Sequence, residues 1–333
     1  MSVSVVLPVF NAGPFLAEAL QSLADQTYRD LEIVVHDDGS TDDSRAIAEG
    51  FAARDERFVV QSAPNQGVAG AANAAVARAR GDLLVRMDAD DIAHPTRVAK
   101  LVALAAAHPE VEVLASRARY FPRAEVGPGM LRYEAWLDGL LDHAAIYADR
   151  FVEYPLPHPT TAVRRSAYER VGGFRDGDFP EDYDWFLRAC AAGVRFAKHP
   201  DVLLDWREGG HRTTKSDARY SLASFHALKV EHLVPRLEAA DREVAVVGAG
   251  RDGKRWARAL RAAGVPLRCF VDLHPGRVGN TIQDLPVHSY EDLPSLRGAY
   301  LLSAVGAPGA RVDIRARLTA AGFVEESDFL CVQ

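Results

Sequence analysis

Met87-Asp88-Ala89-Asp90-Asp91 closes an apolar run and carries the strongest chemical signal in this 333-residue sequence. On an extended backbone, residues two apart point to the same side, so Asp88 and Asp90 can converge on one cation while Asp91 faces elsewhere. Hard carboxylate oxygens with open positions suit Mg2+ or Mn2+ shared with phosphates. An EF-hand is excluded, because the twelfth position from Asp88 is Ala99 and not glutamate. Capping of a following helix needs one carboxylate, not three, and is the weaker reading.

Further polar groups end other apolar runs. Asp37-Asp38-Gly39-Ser40 follows one run and Pro8-Val9-Phe10-Asn11 another. A carboxylate at Asp37 or Asp38 can accept the N–H of a base or a ribose hydroxyl, although alone the stretch reads equally as a turn with a helix cap. Glu181-Asp182-Tyr183-Asp184 reads locally as a charged helix start. His158, beside two prolines, is a packed loop residue or part of a binding pocket.

These residues need a scaffold, and the first half of the chain supplies one by alternating β-branched runs with longer helical patterns. Strands are expected at 3–7, 32–36, 58–62, 83–87 and 111–115. Phe15, Ala19, Leu20 and Leu23 recur at helical spacing behind Pro14, and further helices are expected from Ser40–Asp43, over 69–80 and after Pro95. This is a doubly wound α/β sheet, whose ligands bind beyond the carboxyl ends of its strands. From 118 to 155 the alternation is lost. Met130–Leu141 reads as an amphipathic helix for core packing, its polar residues Arg132, Glu134, Asp138 and Asp142 being too acidic for a membrane-surface helix.

The pattern restarts after a polar stretch at 237–242. An apolar strand from Val244 runs into Gly248-Ala-Gly250-Arg-Asp-Gly253, with a helix over 254–263 and a strand over 267–271 ending in Asp272. This matches the dinucleotide fingerprint, in which glycines admit a phosphate to a helix N-terminus and an acidic residue some 20 positions on reaches the ribose. Gly248, Gly250, Gly253 and Asp272 are therefore a candidate second nucleotide site, for NAD(P) or another nucleotide. A purely structural or partner-binding domain is the competing reading. The expected domains are 1–237 and a smaller Rossmann-like α/β domain over 241–333.

Composition bounds the rest. At about 150 residues per domain the length fits two domains, and 48% hydrophobic with 26% charged residues is ordinary globular composition. The net charge of −7 argues against general nucleic-acid binding, which needs a strongly basic face. Residues 241–333 hold 12 basic and 11 acidic side chains, so the acidity belongs to the first domain. Cys190, Cys269 and Cys331 show neither disulfide nor zinc spacing. No stretch reads as a signal peptide or a membrane span. A cytoplasmic location is expected, with peripheral attachment at the inner membrane face and oligomerisation left open.

Several ordered motifs give the sequence a family likeness. Leu7-Pro-Val-Phe-Asn11, Gln26-Thr-Tyr28, Asp37-Asp-Gly-Ser-Thr-Asp42, Asn65-Gln-Gly67, Asn73 and Asp88-Ala-Asp-Asp91 resemble the family 2 glycosyltransferases of GT-A fold, a doubly wound mixed sheet. His158-Pro159, Val171-Gly-Gly-Phe174, Glu181-Asp-Tyr-Asp-Trp185 and Trp206-Arg207 followed by His211 extend the likeness over residues 1–220. The resemblance implies transfer of a sugar from a nucleotide donor, with UDP favoured by family habit, to a carbohydrate, lipid-linked or other hydroxyl acceptor in glycan or glycoconjugate biosynthesis. Inversion at the anomeric carbon is implied, and so, within residues 1–237, are a nucleotide half over 1–117 and an acceptor half over 118–237.

Carried onto this chain, the resemblance gives the nucleotide-sugar to Pro8, Val9, Phe10, Asp37, Asp38, Gly67, Asn73, Asp88, Arg207 and His211. It gives Mn2+ or Mg2+ to Asp90, with Asp88 and His211, and the catalytic base to Asp182, with His158, Glu181 and Trp185 on the acceptor side. The sequence departs from the pattern at Ala72, where the family commonly has arginine. Two other readings stay open: a nicotinamide-dependent oxidoreductase working through the C-terminal domain, and a non-catalytic nucleotide-sugar sensor.

Overall fold

A computed structural model describes residues 1–209 and 217–333, and these divide into two compact units. One comprises Met1–Tyr147 with Pro155–Ser221, the other Ala148–Tyr154 with Leu222–Gln333.

The first unit is built on β1 (Val3–Val9), β2 (Leu31–Asp37), β3 (Phe58–Ser62), β4 (Leu83–Arg86), β5 (Ile92–Ala93), β6 (Val113–Phe121), β7 (Ala162–Arg164) and β8 (Phe196–Arg207). Their order is β3-β2-β1-β4-β7-β6-β8-β5. The first four are parallel, joined through helices α1 (Gly13–Ala24), α2 (Ser44–Ala52) and α3 (Gly67–Arg78), because parallel neighbours need a crossover. β7 runs antiparallel to both β4 and β6, so the sheet is mixed. Helix α4 (Arg97–Ala107) precedes β6, α5 (Pro128–Gly139) and α6 (His143–Ala148) follow it, and α7 (Arg165–Val171) and α8 (Glu181–Ala191) separate β7 from β8.

Strand periodicity decides the layers. Val5, Leu7, Ile33, Val35 and Val85 enter one core with Leu16 and Leu20 of α1, while the alternate residues Val6, Val34 and Leu84 enter a second core with Ala75 and Val76 of α3. A sheet buried on both faces reads as the continuous apolar runs seen in the sequence.

β1 extends two residues past its expected end, since Pro8 and Val9 stay in register with His36 and Asp37. Asp43 is the N-cap of α2 without a side-chain bond of its own, and the preceding Asp42 accepts from Ser44 N at 3.0 Å through Oδ1 and from Gly13 N at 2.9 Å through Oδ2, tying two helix starts together. Helix α5 buries Glu134 and Leu137 rather than a full apolar stripe, and Glu134 accepts from Tyr120 N and Arg123.

The second unit carries β9 (Val244–Val247), β10 (Leu267–Val271), β11 (Thr281–Ile282), β12 (Leu285–His288), β13 (Tyr300–Ser303) and β14 (Phe329–Cys331), ordered β11-β12-β10-β9-β13-β14. Every pairing is parallel except β11 with β12. Its helices are α9 (Leu222–Ala240), α10 (Arg251–Ala262) and α11 (Ala310–Ala320).

This division differs from the boundary expected at 237–241. Lys229 Nζ of α9 donates to Val152 O at 2.5 Å, His226 packs on Trp256 with ring centroids 4.5 Å apart, and Arg236 pairs with Glu326 at 2.9 Å. Segment 148–154 joins the same unit through Arg150–Glu326 and Asp149–Arg315. Such long-range partners leave no local pattern. Among the described residues, no helix is long and apolar enough to cross a membrane.

Candidate active site

The carboxyl ends of the parallel strands and the start of α8 enclose a cavity of about 610 Å3 in the first unit. It is lined by Pro8 and Val9 at the end of β1, Phe10 after it, Asp38 after β2, Gly67 at the start of α3, Asp88 and Asp90 after β4, and His158, Glu181 and Asp182. Topology alone brings these together, because each follows a strand or opens a helix on the same edge.

Asp38 accepts from Gln66 N at 2.8 Å and Gly67 N at 3.0 Å, so its carboxylate holds the N-terminus of α3. Gly67 sits at φ +78°, the left-handed region that favours glycine. Asp37, expected beside it in the nucleotide site, does not line the cavity. It is buried under its own loop, accepting from Ser40 N and Ser62 Oγ.

Arg86, the last residue of β4, lines the cavity with Asp88 and Asp90, and residues 89–90 form a turn where an extended backbone was expected. Arg86 Nε and Nη2 each lie 2.9 Å from Asp88 Oδ1. Asp91 faces away and is buried, its Oδ1 accepting from Arg207 N at 2.8 Å. Fully buried Arg97 ties this strand end to the His158 turn, donating to Arg86 O and Pro159 O at 2.5 Å each. Burial lowers its guanidinium to about 10, which still leaves it protonated at neutral pH.

Two hard carboxylates on one wall of an open cavity are a donor set that suits Mg2+ or Mn2+, with other positions left to phosphate and water. Among the described residues, no three His, Cys, Asp or Glu side chains gather into a complete ligand set. His211 lies outside the described residues.

Arg207, expected near a diphosphate, is placed behind the Asp88–Asp91 stretch and does not line the cavity. Its Nε donates to Asp90 O at 2.6 Å, its Nη2 pairs with Glu18, and its guanidinium lies over the Phe15 and Phe121 rings at 4.8 and 4.4 Å. Asn73 and Trp185 are likewise away from the cavity. Asn73 is locked to Phe174 N, Phe174 O and Tyr168 Oη, and Trp185 Nε1 donates to Gly172 O at 2.8 Å. Both brace the Val171–Phe174 turn: a Cβ at Gly173 would sit 2.7 Å from Asn73 Oδ1.

Glu181 and Asp182 occupy the first turn of α8, where the helix dipole favours negative charge. Glu181 accepts from Tyr220 Oη at 2.7 Å. Desolvation nevertheless raises the Glu181 carboxyl, and raises Asp182 well above the usual carboxylate range with the Glu181 charge adding to it. His158 Nδ1 is 3.5 Å from Asp182 Oδ2, and burial followed by the Arg86 charge pushes the imidazole down to about 3. The arrangement can therefore accept a proton at Asp182 beside a neutral histidine.

Tyr220, Arg219 and Asp217 also line the cavity. Nothing in their local sequence marks them, whereas Arg86 was available from the alternation that picked out Asp88 and Asp90.

In the second unit, Gly248, Gly250 and Asp272 line a separate cavity of about 450 Å3. Gly253 does not; a Cβ there would fall 1.7 Å from Gly248 O, so it serves close packing of α10 on β9.

Residues 4–172 match the model of "Glycosyl transferase family 2". The "Putative glycosyltransferase EpsE" of Bacillus subtilis is 28% identical over 225 residues, covering 66% of this chain and 78% of that protein. Two solved structures share the fold. S. aureus TarS 1–349 in complex with UDP-GlcNAc has a TM-score of 0.54 at 19% identity, over 80% of this chain and 82% of that one. The mannosyltransferase PcManGT from Pyrobaculum calidifontis, in complex with GDP-Man and Mn2+, has a TM-score of 0.51 at 21% identity, over 79% and 74%.

Proposed function

The chain belongs to glycosyl transferase family 2, and from that premise we propose that its first unit moves a sugar from a nucleoside-diphosphate donor, UDP before GDP or dTDP, to an acceptor hydroxyl with inversion. The observation that carries this reading is the convergence of Asp88 and Asp90 with Asp182 in one cavity. Its volume falls in the range of about 300–1,000 Å3 typical of small-ligand sites.

In this reading the donor enters along the ends of β1, β2 and β4. Phe10, 52% exposed at the cavity edge, offers a ring face to the base. Asp90 and Asp88 hold a divalent cation, which when bound stabilises charge on the leaving diphosphate as a Lewis acid.

Asp182 receives the acceptor's hydroxyl proton as the acceptor oxygen forms its bond to the anomeric carbon. The bond from that carbon to the diphosphate oxygen breaks on the opposite face, and its electron pair departs with the nucleoside diphosphate. A single displacement inverts the centre. The raised Asp182 pKa serves this step, since a general base works best with a pKa near the working pH. His158 stays neutral and packs edge-on against Phe174, fixing the wall beside Asp182 without competing for the proton.

The acceptor is a carbohydrate, lipid-linked or other hydroxyl compound of glycan biosynthesis. The second unit, with five parallel strands and a glycine-rich first turn, reads as Rossmann-like.

Calorimetry of UDP, GDP and dTDP, with Mn2+ and with EDTA, tests the reading on wild type and Asp90→Ala. One nucleotide should bind tightly and lose its binding in EDTA and in the variant. Binding indifferent to both, or none at all, overturns the assignment of the donor site.

A further inference from the structure

The cavity of the second unit opens beyond the carboxyl ends of β9, β10 and β13, where β10 and β13 flank β9 on opposite sides. Open parallel sheets bind ligands at such a reversal of strand order. The glycines of the first turn divide into two kinds. Gly248 has φ +100° and a Cβ there would meet Val305 Cγ2 at 2.6 Å, while Gly253 is required by the contact with Gly248 O.

Gly250 is required by neither backbone nor packing. Its φ is −76°, and a Cβ there would meet nothing nearer than Arg277 Nη1 at 3.7 Å. Gly306, from the turn after β13, repeats the pattern: a Cβ would find only Gln333 Oε1, at 3.5 Å, and more distant atoms. Two positions bare of side chains, from adjacent strands, thus hold the same cavity open.

Electrostatics give the ligand's class. Gly250 is the N-cap of the 12-residue α10 and has no side chain to cap it, so the first-turn N–H groups need an acceptor from outside the helix. That end of the helix favours an anion. Asp272, expected to reach a ribose, lines the cavity, and its carboxylate accepts from Ala249 N at 2.7 Å, His274 N at 2.8 Å and Arg277 Nη1 at 3.1 Å. It anchors the glycine turn and sets Arg277 over Gly250. The remaining acids of the wall are matched, Asp313 by Arg317 at 2.8 Å and Asp252 by Arg251 and Arg255 at 3.7 Å.

We propose that this cavity binds a nucleoside phosphate, its phosphate over Gly250 between the start of α10 and Arg277. The site is independent of the glycosyl-transfer cavity and uses residues of the second unit alone.

The test is equilibrium dialysis of UDP, UDP-GlcNAc, NAD+ and NADPH against Asp90→Ala protein in EDTA, and against the same protein carrying Gly250→Val. One of the four should bind at one per chain, and Gly250→Val should weaken it by at least about tenfold without lowering the melting temperature. If Gly250→Val melts lower, Arg277→Met should produce the same loss. No binding of any probe at millimolar concentration overturns the proposal, and so does binding that neither substitution weakens. Neither result bears on glycosyl transfer, which these measurements do not read.

Discussion

His158 Nδ1 lies 3.5 Å from Asp182 Oδ2, yet the two do not form an ion pair near neutral pH, because burial and the Arg86 charge hold the imidazole down to about 3. The acid side of the pH–rate profile therefore belongs to Asp182, raised by burial and by Glu181. Activity should fall with acid at a pH above the ordinary carboxylate range of about 4. Glu181→Gln keeps an acceptor for Tyr220 and removes a negative charge beside Asp182, so the limb should move to lower pH. A pH series of kcat/KM on both proteins decides it, and a limb that stays or rises refutes the coupling.

Asp182→Asn removes the proton acceptor while keeping size and shape. General-base catalysis contributes about 10²- to 10⁴-fold, so turnover should drop by at least about 10²-fold. Donor nucleotide affinity should hold, because Asp182 belongs to the acceptor side. Turnover and calorimetric affinity measured on one preparation separate the two, and unchanged turnover removes Asp182 from the base role.

Continuous apolar runs made much of this site readable. They marked the strands whose ends carry Phe10, Asp38 and Asp88, and the side rule applied one step back from Asp88 reaches Arg86 at the end of β4. The misplaced residues have a common cause. Asn73, Trp185 and Arg207 occur in motifs beside the site, but their side chains are turned into supporting contacts, and the direction of a long side chain off a loop or helix is set by tertiary packing. Tyr220 meets Glu181 from 39 residues away, a relationship that no local pattern announces. The same holds for α9, whose allegiance to the second unit depends on Val152, Trp256 and Glu326.

Arg86 is a buried cation in an acidic cavity, paired with Asp88 and acting on the Asp182 carboxyl to lower it. Arg86→Met should shift the acid limb to higher pH, opposite in sign to Glu181→Gln. It should also weaken metal-dependent nucleotide binding by releasing Asp88, with Arg86→Lys recovering part of the charge effect but not the two-nitrogen contact. A limb that moves the same way in both variants contradicts this electrostatic arrangement.

Lys198 supplies a test on stability rather than catalysis. Its Nζ donates to Leu137 O at 2.7 Å and Pro155 O at 3.1 Å, and burial lowers it to about 7. Unfolded, the amine would keep its proton to about 10.4. Between these values the unfolded chain binds more protons than the folded one, so stability rises with pH; below about 7 the cost of the buried charge is fully present. From pH 7 to 8.5 the gain should be about 1–2 kcal/mol, read as a rising urea midpoint. Lys198→Met removes the titrating group and takes the Nζ donor from Pro155 O, while Leu137 O keeps its bond from Leu140 N, lowering stability overall while flattening the slope. Lys229, also lowered by burial, titrates in the same sense and keeps the slope from vanishing. An unchanged slope in Lys198→Met would show that Lys198 keeps its ordinary pKa in the folded protein.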